Sequence, residues 1–230
     1  MQKKLGGVWI RERLVEAYVG EYASGKSEVA VNRAICLHNS GKEVTLADLD
    51  LVEPFYTLRP IRKQLIEMGI NVIAWETGET LGLGETGNVI MPELRWILRR
   101  PGDIIMDIGY GVEGIKVLNL VEGSSEEKNL HIYVVLNIGR PMTAAVDDIV
   151  EYIKTLGTVH GLINNSHLGD DTYVEFVQEG ARIITESARV LNLPVVATYI
   201  DNRFKGAIGP KDCMDNPVKF LNRYMTQAFW

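Results

Sequence analysis

An eight-residue segment at positions 20–27 places the strongest constraint on the fold of this chain. It reads G-E-Y-A-S-G-K-S and satisfies the pattern G-x-x-x-x-G-K-[ST]. An apolar run at 14–19 precedes it, and a segment with helical periodicity at 26–39 follows it. In this context the pattern is typical of a turn whose backbone N–H groups surround a polyphosphate at a helix N-terminus. The sequence therefore predicts a buried strand that ends at a phosphate-binding loop.

Short apolar runs alternate with helix-period segments along most of the chain. Further strands are predicted at 44–47, 71–75, 103–106, 132–137, 159–163 and 195–199, and further helices at 61–68, 92–99, 143–156, 172–191 and 218–229. Thr143 is the expected N-cap of the helix at 143–156. Apolar strands separated by helices indicate an α/β fold with a doubly wound, mostly parallel sheet and helices on both faces. We expect one domain over residues 1–230.

The composition of the chain limits which kinds of partner and which cellular compartment are expected. The formal net charge of −6 argues against a general binder of nucleic acid or anionic membranes. No run approaches the ~20 apolar residues that span a membrane, and no signal peptide is recognisable at the start. Cys36 and Cys213 form no Cys-x-x-Cys pair, so a zinc site within the chain is not expected. These features predict a cytoplasmic protein without nucleic-acid partners and make a membrane partner unlikely.

The phosphate-binding loop supplies most of the candidate site. Its predicted nucleotide-binding residues are Gly20, Glu21, Tyr22, Ala23, Ser24, Gly25, Lys26 and Ser27. Lys26 is expected to neutralise the β- and γ-phosphates and to act in catalysis, and the Ser27 hydroxyl is expected to bind Mg²⁺. The alternative is a glycine-rich turn with an exposed lysine.

Acidic residues follow two of the predicted strands. Asp48 and Asp50 are two residues apart on an extended segment and so point the same way. They are candidate catalytic residues that orient an attacking water, with Asp48 also a candidate magnesium ligand. Asp107 follows another apolar run and is a further candidate ligand, while the N–H of Gly109 is a candidate contact for the γ-phosphate. A solvated turn is the alternative for the segment at 48–50, and a helix-entry turn is the alternative for the segment at 107–111.

Together these motifs resemble the MinD/ParA group of P-loop ATPases, which includes relatives of the nitrogenase iron protein. The similarity runs from residue 15 to about residue 199 and is firmest in the loop 20–27, the segment 44–50 and the strand before Asp107. The resemblance implies a homodimer dependent on Mg²⁺ and ATP, whose switch regions signal to a client protein. It places Asp50 near the attacking water and Asn164 at the position that recognises adenine.

The chain departs from that family at one informative position. The family usually has a second lysine directly after the first glycine of the loop, and this chain has Glu21. A carboxylate ~5 Å from a phosphate charge costs roughly 3 kcal/mol at an effective dielectric of ~20, so Glu21 must turn away, pair or be protonated. Arg59 is a candidate substitute cation, and a solvated arginine is the alternative. The departure predicts slow hydrolysis by the isolated protein.

Three further segments allow two interpretations each. Phe55 and Tyr56 form either a partner surface or part of the core, and the loop at 77–88 is either a flap or a plain connection. The apolar stripe of the predicted helix at 218–229 packs on the sheet or on a dimer partner in preference to a membrane. The main functional prediction is a switch ATPase. Its alternatives are an ATP-dependent ligase of the dethiobiotin-synthetase type and a nucleotide sensor with little hydrolysis.

Overall fold

A computed structural model describes residues 2–5, 8–11, 13–51, 58–75 and 90–225. The main sheet has eight strands in the order β10-β9-β8-β7-β3-β6-β4-β5, and every neighbouring pair is parallel. Its strands are β3 (Val15–Gly20), β4 (Val44–Leu49), β5 (Asn71–Ile73), β6 (Asp103–Tyr110), β7 (Leu130–Leu136), β8 (Gly161–Asn164), β9 (Val195–Asp201) and β10 (Val218–Leu221). The predicted α/β, doubly wound architecture is confirmed. An antiparallel hairpin that the sequence analysis did not predict, β1 (Gln2–Leu5) with β2 (Val8–Arg11), precedes the sheet.

Six helices accompany the sheet in the described ranges. They are α1 (Lys26–Asn39), α2 (Arg62–Glu67), α3 (Pro92–Arg95), α4 (Gly111–Lys116), α5 (Val146–Leu156) and α6 (Val174–Leu191). Alternate residues of β3 divide between two apolar clusters, because successive side chains of a strand point to opposite faces. Val15, Ala17 and Val19 belong to the cluster that contains residues of α5 and α6, and Tyr18 belongs to the cluster that contains residues of α1 and α2. Both faces of the sheet are therefore covered.

Strand β3 lies at the centre of this arrangement, between β6 and β7. The chain order reverses on either side of it, so the loops that follow these strands separate at the carboxyl edge of the sheet. In open parallel sheets this is the place where ligands bind. The segment at 20–27 leaves β3 at this point and leads directly into α1.

The end of the described chain differs from the prediction. Residues 218–229 were expected to form an amphipathic helix, but Val218–Leu221 is a strand that pairs in parallel with Thr198–Asp201 of β9. Apolar spacings of one, three and four residues suit a helix, and the open edge of β9 supplies hydrogen bonds that override this local preference. The predicted helix is wrong over 218–221, and the last residues, 226–230, lie outside the described residues.

Two boundaries also differ in ways that matter for the site. Helix α5 starts at Val146 with Ala145 as its N-cap, so Thr143 is not the cap. The hydroxyl of Thr143 is instead buried and donates to the carbonyl oxygen of Asn137 at 2.7 Å. Strand β6 continues to Tyr110, which places Asp107 inside a strand that was predicted to end at 106.

The two predicted loop features at 55–56 and 77–88 lie outside the described residues. Among the helices that are described, none combines the length and the apolar character needed to cross a bilayer.

Candidate functional site

The loop between β3 and α1 folds tightly on itself. A Cβ atom on Gly20 would lie 2.4 Å from the carbonyl oxygen of Val135 and 2.5 Å from Oγ of Ser24, so only glycine fits there. Gly25 has φ +81°, the left-handed region, and is the N-cap of α1. No side chain caps this helix end. The N–H groups of its first turn are therefore left to bind an acceptor, and the helix dipole favours an anion.

Two side chains from neighbouring strand ends form hydrogen bonds with the backbone of the loop. Nδ2 of Asn165 donates to the carbonyl oxygen of Ser24 at 2.8 Å, and Nε of Arg140 donates to the carbonyl oxygen of Ala23 at 3.1 Å. Both loop carbonyls are thus satisfied within the protein. The hydroxyl of Ser24, by contrast, is buried with no hydrogen-bond partner among the described residues.

Lys26 forms a buried ion pair with one of the predicted catalytic carboxylates. Its Nζ lies 3.1 Å from Oδ2 of Asp50, and the two side chains are 10% and 1% exposed. Burial lowers the pKa of Lys26, but the negative charges of Asp50 and Asp107 outweigh it and leave that pKa above its ordinary value. The lysine is therefore cationic, and a phosphate that binds it competes with Asp50.

Asp48 reaches the site, but its carboxylate already has partners. Oδ2 accepts from Nε of Arg59 at 2.9 Å, and Oδ1 accepts from the backbone N–H of Asp50 at 3.0 Å. Nη2 of Arg59 also donates to the carbonyl oxygen of Asp50 at 3.0 Å. Arg59 therefore holds the turn after β4, and its role as the substitute cation for the loop stays a prediction. The arrangement suits Asp48 to positioning Asp50 better than to binding a metal.

Asp107 is the carboxylate that fits a magnesium ligand. It is fully buried and lies opposite Asp48 in the β4–β6 register. Burial raises its pKa to about 8, the charge of Lys26 lowers it, and the charges of Asp48 and Asp50 raise it. Neither oxygen has a hydrogen-bond partner of good geometry among the described residues, although the hydroxyl of Ser27 lies close enough to lower its pKa. A buried carboxylate in this condition requires an explanation, and a cation beside Ser27 supplies one.

Gly109 lies where the pairing of β6 with β3 becomes irregular. The register shifts between Tyr18 and Gly20, which face Asp107 and Tyr110. The carbonyl oxygen of Gly109 packs closely on Gly114. A Cβ atom added to Gly114 would lie 1.9 Å from that oxygen. The predicted contact of the Gly109 N–H with the γ-phosphate stays a prediction.

Tyr22 lies on the side of the loop that faces the end of β6. Burial raises the pKa of Tyr152 on α5, and the charge of Glu21 adds to this. Tyr22 is exposed and makes an edge-to-face contact with Tyr110, with ring centroids 6.2 Å apart. The expectation that Glu21 turns away from phosphate stays a prediction.

Asn164, the predicted adenine contact, is held by hydrogen bonds within the protein. Asn164 is fully buried, and its Nδ2 donates to the carbonyl oxygen of Val177 and to Oγ1 of Thr198. Its Oδ1 accepts from both the N–H and the hydroxyl of Ser166. Every hydrogen-bonding position of the amide is therefore occupied internally. Asn165 points to the other side and lines a cavity beside Gly25.

That cavity extends from the loop to the last described residues. Gly25, Asn165, His167, Tyr199, Leu221 and Arg223 are among its lining residues. The segment that follows β10 forms part of its wall and is bound to α1. The carboxylate of Glu28 accepts from the N–H groups of Tyr224 and Met225 at 2.7 and 3.1 Å. Asn32 exchanges two hydrogen bonds of 2.9 Å with the backbone of Asn222.

Sequence reasoning missed three residues of this site: Arg140, Asn165 and Glu28. Asn165 was visible as the neighbour of Asn164, and only the direction of the strand end decides between them. Arg140 and Glu28 bond to backbone atoms that lie 117 and about 196 positions away, so no local pattern could have found them.

Comparison with solved structures agrees with the fold described above. The chain resembles the cell division protein FtsY of Thermotoga maritima, with a TM-score of 0.56, 18% identity and coverage of 82% of this chain and 62% of that one. The chain has a P-loop NTPase fold. It also resembles FtsY of Elizabethkingia anophelis in complex with GDP, with a TM-score of 0.56, 14% identity and coverage of 83% and 58%.

A third similar structure is the signal recognition particle 54 kDa protein of Aeropyrum pernix, in complex with GDP. Its TM-score is 0.51 and its identity 17%, with coverage of 80% of this chain and 41% of that one. The chain therefore spans less than two thirds of the length of these P-loop proteins. No family model and no curated protein matches the sequence. The comparisons support the general P-loop NTPase fold and do not single out the MinD/ParA group.

Proposed function

We propose that this chain is a Mg²⁺-dependent P-loop ATPase of MinD/ParA type that switches a client protein according to the bound nucleotide. One observation carries the proposal: the uncapped N-terminus of α1, buried Lys26 and the unsatisfied carboxylate of Asp107 meet at the carboxyl edge of β3. An anion and a cation together satisfy all three. Mg²⁺ with a nucleoside triphosphate has the required charges and size.

The residues divide the chemistry among them. The loop amides and Lys26 bind the phosphates, and Ser27 and Asp107 would hold Mg²⁺, which neutralises charge on the β- and γ-phosphates. When a phosphate binds Lys26, the carboxylate of Asp50 loses its contact with the lysine and becomes able to orient a water molecule. Arg59 keeps Asp48 in place and with it the turn that carries Asp50. The switch is thus an exchange of partners at Lys26.

The base pocket is the cavity beside Gly25, with Asn165 as the polar contact. Among the described residues the amide oxygen of Asn165 accepts no hydrogen bond, so it is available to an amino group of a purine. The proposal of ATP rests on the resemblance to the MinD/ParA group. Two of the similar structures hold GDP, so GTP is the competing ligand.

Calorimetry with Mg·ATP, Mg·GTP and the corresponding diphosphates tests the proposal. Binding of ATP in preference to GTP supports it, and Lys26→Ala is expected to abolish binding because it removes the cation of the loop. A preference for GTP would mean that the proposed switch uses GTP in place of ATP. Absence of heat from every nucleotide would overturn the proposal.

A homodimer and a client protein are the remaining parts of the proposal, with the cytoplasm as its compartment. Molar mass in solution, measured with ADP and with a slowly hydrolysed ATP analogue, tests the dimer. A larger mass with the analogue is expected, and a monomer in both states would remove dimerisation from the mechanism. Faster phosphate release on addition of cell extract is expected if a client acts on the switch.

A nucleotide sensor with little hydrolysis is the second candidate. The Lys26–Asp50 ion pair favours it, because phosphate must break a buried interaction before Asp50 becomes available. Phosphate release by the isolated protein separates the two candidates. If the protein binds ATP but releases negligible phosphate even with cell extract present, the sensor is the better description of its function.

A further inference from the structure

The phosphate site lacks a second cation in the place where the sequence analysis sought one. Within the loop at 20–27, Lys26 is the sole lysine or arginine, and Glu21 stands at the position where the MinD/ParA group has its signature lysine. Arg59, the expected substitute, is bound to Asp48 and to the carbonyl of Asp50. A triphosphate with Mg²⁺ still carries net negative charge. A single lysine beside three carboxylates leaves that charge poorly compensated.

The turn after β7 brings another cation to the loop and holds it rigidly. The carbonyl oxygen of Asn137 accepts from the N–H of Arg140 at 3.0 Å and from the hydroxyl of Thr143 at 2.7 Å. Oδ1 of Asn137 accepts from the N–H groups of Gly139 and His167, at 2.9 and 3.1 Å. Asn137 and Thr143 are both fully buried. The position of the Arg140 backbone is therefore determined by a closed set of hydrogen bonds.

The guanidinium group of Arg140 lies directly against the phosphate-binding loop. Its Nε donates to the carbonyl oxygen of Ala23, three residues before Lys26. Its terminal nitrogens, Nη1 and Nη2, have no hydrogen-bond or ion-pair partner among the described residues. Burial lowers the pKa of His167 to about 4, and the charge of Arg140 contributes to the shift. His167 is therefore neutral at physiological pH and does not add charge of its own.

We propose that Arg140 is a phosphate-binding residue that supplies the second cation of the site. The proposal rests on the function proposed above. A guanidinium is planar and presents its donors as a fork, so fixing Nε on Ala23 leaves two donors for phosphate oxygens. A lysine cannot hold the loop and bind phosphate in this way. Arg140, in the turn after β7, thus supplies the positive charge that a second lysine in the loop would supply.

Binding of adenosine tri-, di- and monophosphate to Arg140→Gln tests the proposal. A cation beside the phosphates contributes more to affinity as the number of phosphates in the nucleotide rises. General damage to the loop weakens the binding of all three nucleotides alike. The expected result is a loss of about tenfold in triphosphate affinity with a change of less than about twofold for the monophosphate. Arg140→Lys, which keeps the charge and loses the fork, is expected to lie between glutamine and wild type.

Arg13→Gln is the matched control. Arg13 also donates to a backbone carbonyl, that of Arg100, but it lies just before the start of β3 and so at the opposite edge of the sheet. All three affinities are expected to stay at the wild-type values in this variant.

Three outcomes separate the two proposals. If the wild-type protein binds no nucleotide, the proposed function fails and the role of Arg140 fails with it. If wild type binds and Arg140→Gln weakens the three ligands equally, or weakens none, the P-loop function stands and the phosphate contact is refuted. If Arg140→Gln does not fold, the same comparison is made with Arg140→Lys, where an unchanged preference for the triphosphate over the monophosphate refutes the fork contact.

Discussion

Nζ of Lys26 lies 3.1 Å from Oδ2 of Asp50, and this pair joins the phosphate-binding loop to the turn after β4. The two residues come from different strand ends and are almost completely buried. A ligand phosphate competes with Asp50 for the lysine. In the proposed mechanism, the occupancy of the loop therefore controls whether Asp50 is available for chemistry.

Asp50→Asn is expected to separate binding from hydrolysis. The variant retains a side chain of the same shape but no longer neutralises Lys26, so ATP affinity stays equal or rises. Phosphate release is expected to fall by about 100-fold or more, because an amide does not activate water. Calorimetry and steady-state phosphate release measure the two effects. Asp147→Asn, an exposed change on α5, should leave both unchanged. Turnover that persists in Asp50→Asn would refute the assigned role.

Gly25→Ala is expected to remove nucleotide binding. The residue has φ +81°, and the new Cβ would lie 2.3 Å from Nδ2 of Asn165, which holds the loop. Gly41→Ala is the control, because Gly41 has φ +76° and open space around it. Both variants are expected to lose about 1–2 kcal/mol of stability through backbone strain. Calorimetry should show lost binding in Gly25→Ala alone, and equal binding in the two variants would contradict the geometry.

The buried pair of Glu16 and Arg33 is expected to make stability depend on pH. Burial alone would raise the pKa of Glu16, but the hydrogen bonds and charge of Arg33 outweigh it and hold that pKa below its ordinary value. Since the folded pKa is the lower one, the pair stabilises the protein above the unfolded value of about 4.3. This contribution disappears as the pH falls through the folded value.

Arg33→Met tests this dependence by chemical denaturation. The loss of unfolding free energy is expected to be about 3–5 kcal/mol at pH 7, because a buried carboxylate is left unpaired. The difference from wild type should shrink as the pH falls toward the lowered pKa of folded wild-type Glu16, below which this residue is protonated in both proteins. Lys116→Met breaks an exposed pair with Glu113 and should cost less than about 1 kcal/mol at either pH. A difference that is constant with pH would rule out the ion pair as its cause.

Glu28→Ala is expected to release the segment after β10 from α1. The change leaves the N–H groups of Tyr224 and Met225 without their acceptor, so their hydrogen exchange should accelerate by about tenfold or more. ATP should also dissociate faster, because Leu221 and Arg223 line the proposed base pocket. Glu179→Ala, an exposed change on α6, provides the comparison. Unchanged exchange at the two amides would show that other contacts hold the segment.

Local sequence was a good guide wherever a pattern and its structural context coincide. The loop at 20–27 carries its own turn glycines, its lysine and its helix start, so its conformation follows from residues close together in the chain. Strands such as β4 and β6 are buried on both faces and read as continuous apolar runs. The C-terminal residues Val218–Leu221 had no such support, because their pairing partner lies on β9.

The amino-acid sequence by itself determined the doubly wound α/β class, the tight turn at 20–27 between a strand and a helix, and the acidic residues near it. Tertiary structure alone decided that Asn165 and not Asn164 faces the cavity, that Arg59 binds Asp48, and that Arg140 reaches Ala23. The physical reason is the range of the interactions. Turn geometry and apolar periodicity act between neighbouring residues, whereas the direction of a strand end and the partner of a buried charge depend on segments brought together only when the sheet assembles.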